Sequence, residues 1–168
     1  ADAVNAATGI ISETDGAVVT VTIARGDRLN SLTTEALDAL ADAIVAADRP
    51  EAEVIILRGD GRAFCTGADL ASAVDDATVI AANRVVRALA GVEPTVIARV
   101  HGPVAGVGVS IALAADLVVA ADTAFLVMPF LGIGLVPDGG ATHAVATRVG
   151  RTRAARMIYS GERIPAAL

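Results

Sequence analysis

Apolar positions along the chain change period several times. Over residues 17–24, AVVTVTIA, they alternate with threonine, which predicts a half-buried strand. Thr33 or Thr34 then suits a helix N-cap, and Leu37, Leu40, Ala41, Ile44 and Val45 follow at helical spacing up to Pro50. Residues 54–57, VIIL, form a short continuous apolar run, the pattern of a strand covered on both faces. Helical spacing returns over 78–89, 142–149 and 152–160, and further strands are predicted at 95–100, 117–120 and 124–128. Strands thus alternate with helices. That order predicts an α/β fold of mostly parallel strands joined by crossover helices. No repeat, low-complexity tract or linker divides the chain, so residues 1–168 read as a single domain.

Composition narrows the function classes. The 168 residues suffice for one real core, and with 54% hydrophobic and 19% charged residues the chain is not disordered. Aromatics are only 2%, so that core packs mostly small aliphatic side chains. No charge-free run reaches the roughly 18–20 apolar residues of a spanning helix, and the first residues lack the basic stretch of a signal peptide. The expectation is a cytoplasmic protein with no membrane insertion, its apolar surplus partly buried against other subunits. All 13 basic residues are arginine and the net charge is −6, which argues against nucleic acid as a partner. The one cysteine, Cys65, reads as a small buried apolar residue. No His/Cys/Asp cluster has metal-ligand spacing, so no metal is expected.

Three glycine-containing turns carry the candidate chemistry. In FCTGADL, residues 64–70, Gly67 permits a backbone shape that turns the N–H groups of Ala68 and Asp69 outward; the plainer reading makes Asp69 a helix cap. In HGPVAGVG, residues 101–108, Gly102, Gly106 and Gly108 thin the backbone where a strand runs into a small-residue helix. A helix start offers free N–H donors, yet there is no lysine for a triphosphate loop and no dinucleotide spacing. Donors from two separate turns suit an oxyanion hole instead. The third turn is GLVPDGGAT, residues 134–142, where Asp138 is either an ordinary turn residue or a carboxylate held out for chemistry.

RLNSLT, FCTGADL, HGPVAGVGVSIALAADLVVAADTAF and GIGLVPDGGAT occur in one order from about Ile10 to Pro165. Together they resemble the crotonase superfamily, the enoyl-CoA hydratase/isomerase family. The resemblance implies a spiral of ββα units, usually assembled as a homotrimer or homohexamer, acting on an acyl-CoA thioester. No cofactor is implied beyond the coenzyme A of the substrate. The thioester oxygen would accept hydrogen bonds from the N–H groups of Ala68 and Val107. Arg28, Leu29, Thr66, Gly67, Asp69, Leu70, Gly106 and Phe130 would contact substrate or CoA, with Arg28 or Arg25 reaching a CoA phosphate. Relatives continue beyond GERIPAAL into further helices, so a C-terminal helical region is expected to be truncated or missing here.

Hydratases of this family use two glutamates. Motif alignment puts Ser110 at the first position and Phe130 at the second, so both carboxylates are absent. Water addition needs a base for water and an acid for the α-carbon, and neither residue supplies them. Some isomerases of the family carry an aspartate at a later PD-G turn, which here is Asp138. One carboxylate suffices for isomerisation: it takes a proton, the hole stabilises the dienolate, and the same acid returns the proton elsewhere. The expectation is an isomerase-type enzyme with Asp138 as acid/base. The alternatives are hydration with unusual residues and a non-catalytic acyl-CoA-binding paralogue. A nucleophilic Asp138 lacks aromatic and polar helpers. His143 reads as an exposed or capping residue and His101 as structural.

Overall fold

The computed structural model describes residues 3–5, 7–72 and 74–167. Strands β1 (Ala3–Asn5), β2 (Ile10–Asp15) and β3 (Val18–Ile23) run antiparallel, with Asp15 opposite Val18 across a tight turn. A 3₁₀ turn over Gly26–Arg28 leads to helix α1 (Thr34–Ala47), whose N-cap Thr33 accepts from the N–H of Ala36 at 3.2 Å. Strand β4 (Val54–Gly59) returns parallel to β3. Helix α2 (Asp76–Gly91) opens on a capping box in which Asp75 and Thr78 satisfy each other's backbone N–H groups. Then come β5 (Thr95–Val100), β6 (Pro103–Ala105), α3 (Val107–Ala114), β7 (Leu117–Ala120) and β8 (Phe125–Val127). A 3₁₀ turn over Phe130–Ile133 precedes α4 (Ala141–Val149), α5 (Arg151–Ser160) and β9 (Ile164–Pro165).

Six strands form one sheet in the order β1-β2-β3-β4-β5-β7, parallel from β3 onward. A smaller sheet, β6-β8-β9, stands beside it, with β6 and β8 parallel and β9 antiparallel. The α/β class with mostly parallel strands is as expected. The N-terminal hairpin, β6 and β9 were not anticipated.

One expectation changes. VIIL is not covered on both faces: Ile55 and Leu57 are fully buried, while Val54 and Ile56 are only partly so. One face of the sheet, with Val19, Val21, Leu57 and Val96, shares its core with Leu37, Leu40 and Ile44 of α1 and with Val85 and Leu89 of α2. The opposite face has no comparable layer of described helices. At the sheet edge, LVVA of β7 is exposed throughout, with Leu117 at 55% and Val119 at 56%. Among the described residues no helix is long and apolar enough to cross a membrane.

Candidate active site

The chain after β4 and the chain after β5 meet side by side. Ala105 donates its N–H to Cys65 at 2.9 Å, and Cys65 pairs with Val104 in a parallel bridge. On the other side Leu32 donates to Gly67 at 2.8 Å and Asp69 donates to Leu32 at 2.9 Å. These bonds fix which way each amide points. The N–H of Asp69, expected to face outward, is used by Leu32. Ala68, the middle residue of that bridge, points its N–H the other way. Among the described residues no backbone acceptor takes the N–H of Ala68 or of Val107, the first residue of α3. Gly67 makes the approach possible: at φ +98° a Cβ would lie 3.0 Å from the Ala105 oxygen and 3.6 Å from the Val107 nitrogen. Two unpaired donors from separate turns therefore border one cleft.

A polar knot behind this wall holds the first loop. Asn30, fully buried at φ +58°, donates from its amide to the carbonyls of Asp60 and Ala63, each at 2.7 Å. Its oxygen accepts the N–H of Arg25 at 2.8 Å. The Arg25 guanidinium donates to Ser31 O at 2.7 Å and reaches Asp69 at 3.3 Å, while Arg28 reaches the same carboxylate oxygen at 3.5 Å. Thr66 closes the knot by donating to Leu29 O at 3.0 Å. Asp69 is thus an ion-pair partner whose other oxygen accepts from the N–H of Ala71 at 3.1 Å; the cap of the following helix is Asp75.

Asp138 lines the same cleft as these donors. The turn that carries it ends in Gly139 and Gly140, both at positive φ, and Gly140 starts α4. Its main-chain oxygen accepts the N–H of Ala141 at 2.9 Å and the hydroxyl of Ser110 at 3.0 Å. Its carboxylate oxygen Oδ1 is buried with no hydrogen-bond partner among the described residues. Burial raises the carboxyl pKa above its ordinary 3.8, and only its own backbone N–H opposes the shift.

The cleft encloses about 550 Å³ of empty space, open solvent at its mouth included. Of the sequence-predicted residues, Thr66, Gly67, Ala68, Leu70, Gly106, Val107, Phe130 and Asp138 line it together. Arg28, Leu29 and Asp69 lie in the adjoining knot, outside the lining. Leu37, Val74, Thr78, Val79, Ala82, Pro129, Ile133 and Leu135 complete the walls and were not foreseen as site residues. Helical periodicity marks Leu37, Thr78 and Ala82 as inward-facing, but nothing local separates core from cleft. The polar side chains of the lining are few. Thr66 is committed to Leu29, Thr78 to Thr34 at 2.8 Å, and only Asp138 remains.

The other candidates fall elsewhere. Cys65 is fully buried, and burial pushes its thiol up to about 12, so it is inert packing. His101 contacts the Gly61 carbonyl at 2.9 Å, and His143 is exposed on α4. Among the described residues no group of three or more His, Cys, Asp or Glu side chains is placed to hold a metal ion.

Known proteins resemble this chain in sequence and fold. The pattern of the family described as Enoyl-CoA hydratase/isomerase matches residues 13–167. A 1,2-epoxyphenylacetyl-CoA isomerase of Escherichia coli strain K12 is 36% identical over 168 residues, covering 94% of this chain and 64% of that protein. A short-chain-enoyl-CoA hydratase of Clostridium acetobutylicum is 32% identical, covering 94% of this chain and 63% of its own length. A crystal structure of an enoyl-CoA hydratase from Mycobacterium avium subsp. paratuberculosis K-10 superposes with a TM-score of 0.90 at 46% identity, over 95% of this chain and 66% of that one. The chain spans just under two thirds of the length of each.

Proposed function

The chain belongs to the enoyl-CoA hydratase/isomerase family, and on that premise we propose that it isomerises the acyl group of an acyl-CoA thioester, with Asp138 moving the proton. One observation carries the choice of reaction. Asp138 is the only carboxylate among the described residues that line the cleft, while by motif resemblance Ser110 and Phe130 stand at the two positions where the family's hydratases carry glutamate. The thioester oxygen accepts from Ala68 and Val107. The Asp138 carboxylate removes a proton α or allylic to the thioester, and the negative charge passes to that oxygen. The protonated Asp138 then returns the proton to a different carbon, so atoms and charge balance within one active site. A carboxyl whose pKa is raised by burial is the stronger base once ionised.

The acyl group is largely apolar, to match the lining. Leu37, Leu70, Val79, Phe130, Ile133 and Leu135 border it, and both cleft threonines already have partners, so Asp138 is left as the one polar side chain of the lining to meet it, and a substrate carboxylate would lie unpaired beside that acid. Arg28, whose side chain is 55% exposed at the edge of the knot, is better placed than Arg25 at 17% to meet a CoA phosphate. The Escherichia coli relative, named as an isomerase of an acyl-CoA, supports isomerisation as the reaction type. Assembly as a homotrimer or homohexamer fits the apolar exposed edge at β7; sedimentation velocity tests it, and a monomer sinks it.

The deciding experiment incubates wild type and Asp138→Ala with panels of 2-enoyl- and 3-enoyl-CoAs, with calorimetry alongside. The expected result is interconversion by wild type, a loss of about 10²–10⁴-fold in kcat in the variant, and acyl-CoA binding kept within a few-fold. Formation of 3-hydroxyacyl-CoA from a 2-enoyl-CoA assigns hydration instead. Binding without turnover by wild type assigns a non-catalytic binder.

A further inference from the structure

We infer that Ser110 is the positioning residue for Asp138, its buried hydroxyl clasping the Pro137-Asp138-Gly139 turn so that the carboxylate faces the cleft. The inference rests on the reading of Asp138 as the acid/base.

Ser110 is 1% exposed and does not line the cleft, so it touches neither substrate nor reacting atoms. Its hydroxyl donates to the main-chain oxygen of Asp138 at 3.0 Å, a link across 28 residues. That oxygen also accepts the N–H of Ala141, so one carbonyl ties the turn both to α4 and to α3. Steric fit reinforces the clasp. Gly139 sits at φ +55°, and a Cβ there would lie 2.8 Å from Ser110 Cβ and 3.1 Å from Ser110 Oγ. The turn therefore rests directly on Ser110, and no side chain longer than serine fits beneath it unless the turn moves away.

The placement along α3 gives this contact its consequence. Val107 and Ser110 are three residues apart on one helix, about one turn. The start of α3 offers the Val107 N–H to the thioester oxygen, and the next turn of the same helix holds the acid. A rigid helix thus sets the separation between the oxyanion donor and the base. The position where the family's hydratases carry a glutamate here serves to support another carboxylate. The two arrangements exclude each other, because a glutamate at 110 needs the space that Gly139 occupies.

The test compares wild type, Ser110→Ala, Gly139→Ala and Asp138→Asn on the full chain, reading kcat and KM on a 3-enoyl-CoA and amide hydrogen exchange by NMR. Ser110→Ala is expected to lower kcat about tenfold, the equivalent of one lost hydrogen bond, with KM within about twofold. Exchange at the Ala141 N–H, which shares the Asp138 carbonyl, is expected to quicken by about as much, with β3 to β5 unchanged. Unchanged kcat together with unchanged Ala141 exchange overturns the inference. If Ser110→Ala loses protection throughout, Gly139→Ala decides: a lower kcat at constant KM upholds the clasp, and full activity overturns it. If wild type turns over no substrate, the acid/base reading falls and the inference with it, whatever Ala141 exchange shows. Asp138→Asn separates the two levels. Should it keep full turnover, the acid/base reading falls and the inference with it. Should it be inactive while Ser110→Ala is normal in both readouts, only the inference falls.

Discussion

The donor wall and the acid wall of the cleft are fastened in different ways. The donor wall is tied by two parallel bridges, by the three hydrogen bonds of Asn30 and by the Arg25 and Arg28 pairs on Asp69. The acid wall, over residues 129–140, is held mainly to itself, through Gly134 to Leu131 and Leu135 to Phe130. Leu131, Ile133, Leu135 and Val136 stand exposed along it, Val136 at 75%. Its side-chain link to the rest of the fold at Asp138 is Ser110. The contrast follows from the chemistry proposed for each side. Oxyanion donors work because they do not reorganise as charge develops. A base that collects a proton at one carbon and returns it at another must serve two positions.

If rigidity of the donor wall is what matters, Gly67 is where that wall breaks. Gly67→Ala forces a residue with a side chain to φ +98° and sets its Cβ 3.0 Å from Ala105 O, between the two donors. The loops must part, and kcat is expected to fall by about 10²–10³-fold, the cost of losing one oxyanion donor. Steady-state kinetics with circular dichroism check it: near-normal kcat in a folded variant removes the hole from the mechanism.

Asn30 tests the fastening itself. Asn30→Ala strands the carbonyls of Asp60 and Ala63 and the N–H of Arg25, and puts alanine at φ +58°. A loss of about 2–4 kcal/mol in urea unfolding is expected, with unchanged m. Asn30→Gly accepts the φ and loses only the amide, so it should recover about 1 kcal/mol of that. Equal losses in the two variants would show that the left-handed conformation costs nothing.

The donor wall was legible in the sequence because FCTGADL and HGPVAGVG are contiguous, and their glycines declare backbone approach. Asp138 was legible as a turn carboxylate for the same reason. The contacts that orient these groups were not. Ser110 showed no partner near it in sequence because its partner lies 28 residues on, and Asp69 looked like a cap because its arginines lie 44 and 41 residues back. VIIL and LVVA look alike as apolar runs, yet one is a central strand and the other a bare edge; neighbours decide that, not composition. The hairpin of β2 and β3 did have a local signal, Asp15-Gly16 at its turn.

On the acid wall the pH dependence of stability is the sharper probe. Burial raises the Asp138 pKa above 3.8 in the folded chain. Between the unfolded and the folded pKa the folded state binds more protons, so stability falls as pH rises through that window. Protonated Asp138 is thus fully accommodated below the unfolded value, and the advantage is gone above the folded one. Asp138→Asn removes this dependence. Its melting temperature relative to wild type should climb from pH 4 toward neutrality and then level off. A difference that stays flat with pH would mean that the carboxylate is solvated in the folded chain.

The smallest effect expected is at Arg28, on the outer edge of the donor wall. Its pair with Asp69 spans 3.5 Å and its side chain is 55% exposed, so its loss should cost no more than about 1 kcal/mol of stability. Arg25 differs: it is 17% exposed and donates to Ser31 at 2.7 Å, so Arg25→Ala disturbs the knot itself. If Arg28 meets a CoA phosphate, Arg28→Ala should raise KM a few-fold and leave kcat alone, because that contact is equal in ground and transition states. It should also flatten the salt dependence of acyl-CoA binding, since an exposed ion pair is screened by salt. Calorimetry at two ionic strengths reads both. An unchanged slope with an unchanged KM leaves Arg28 as an outer tether of Asp69, and the CoA phosphate is then met elsewhere on the rim.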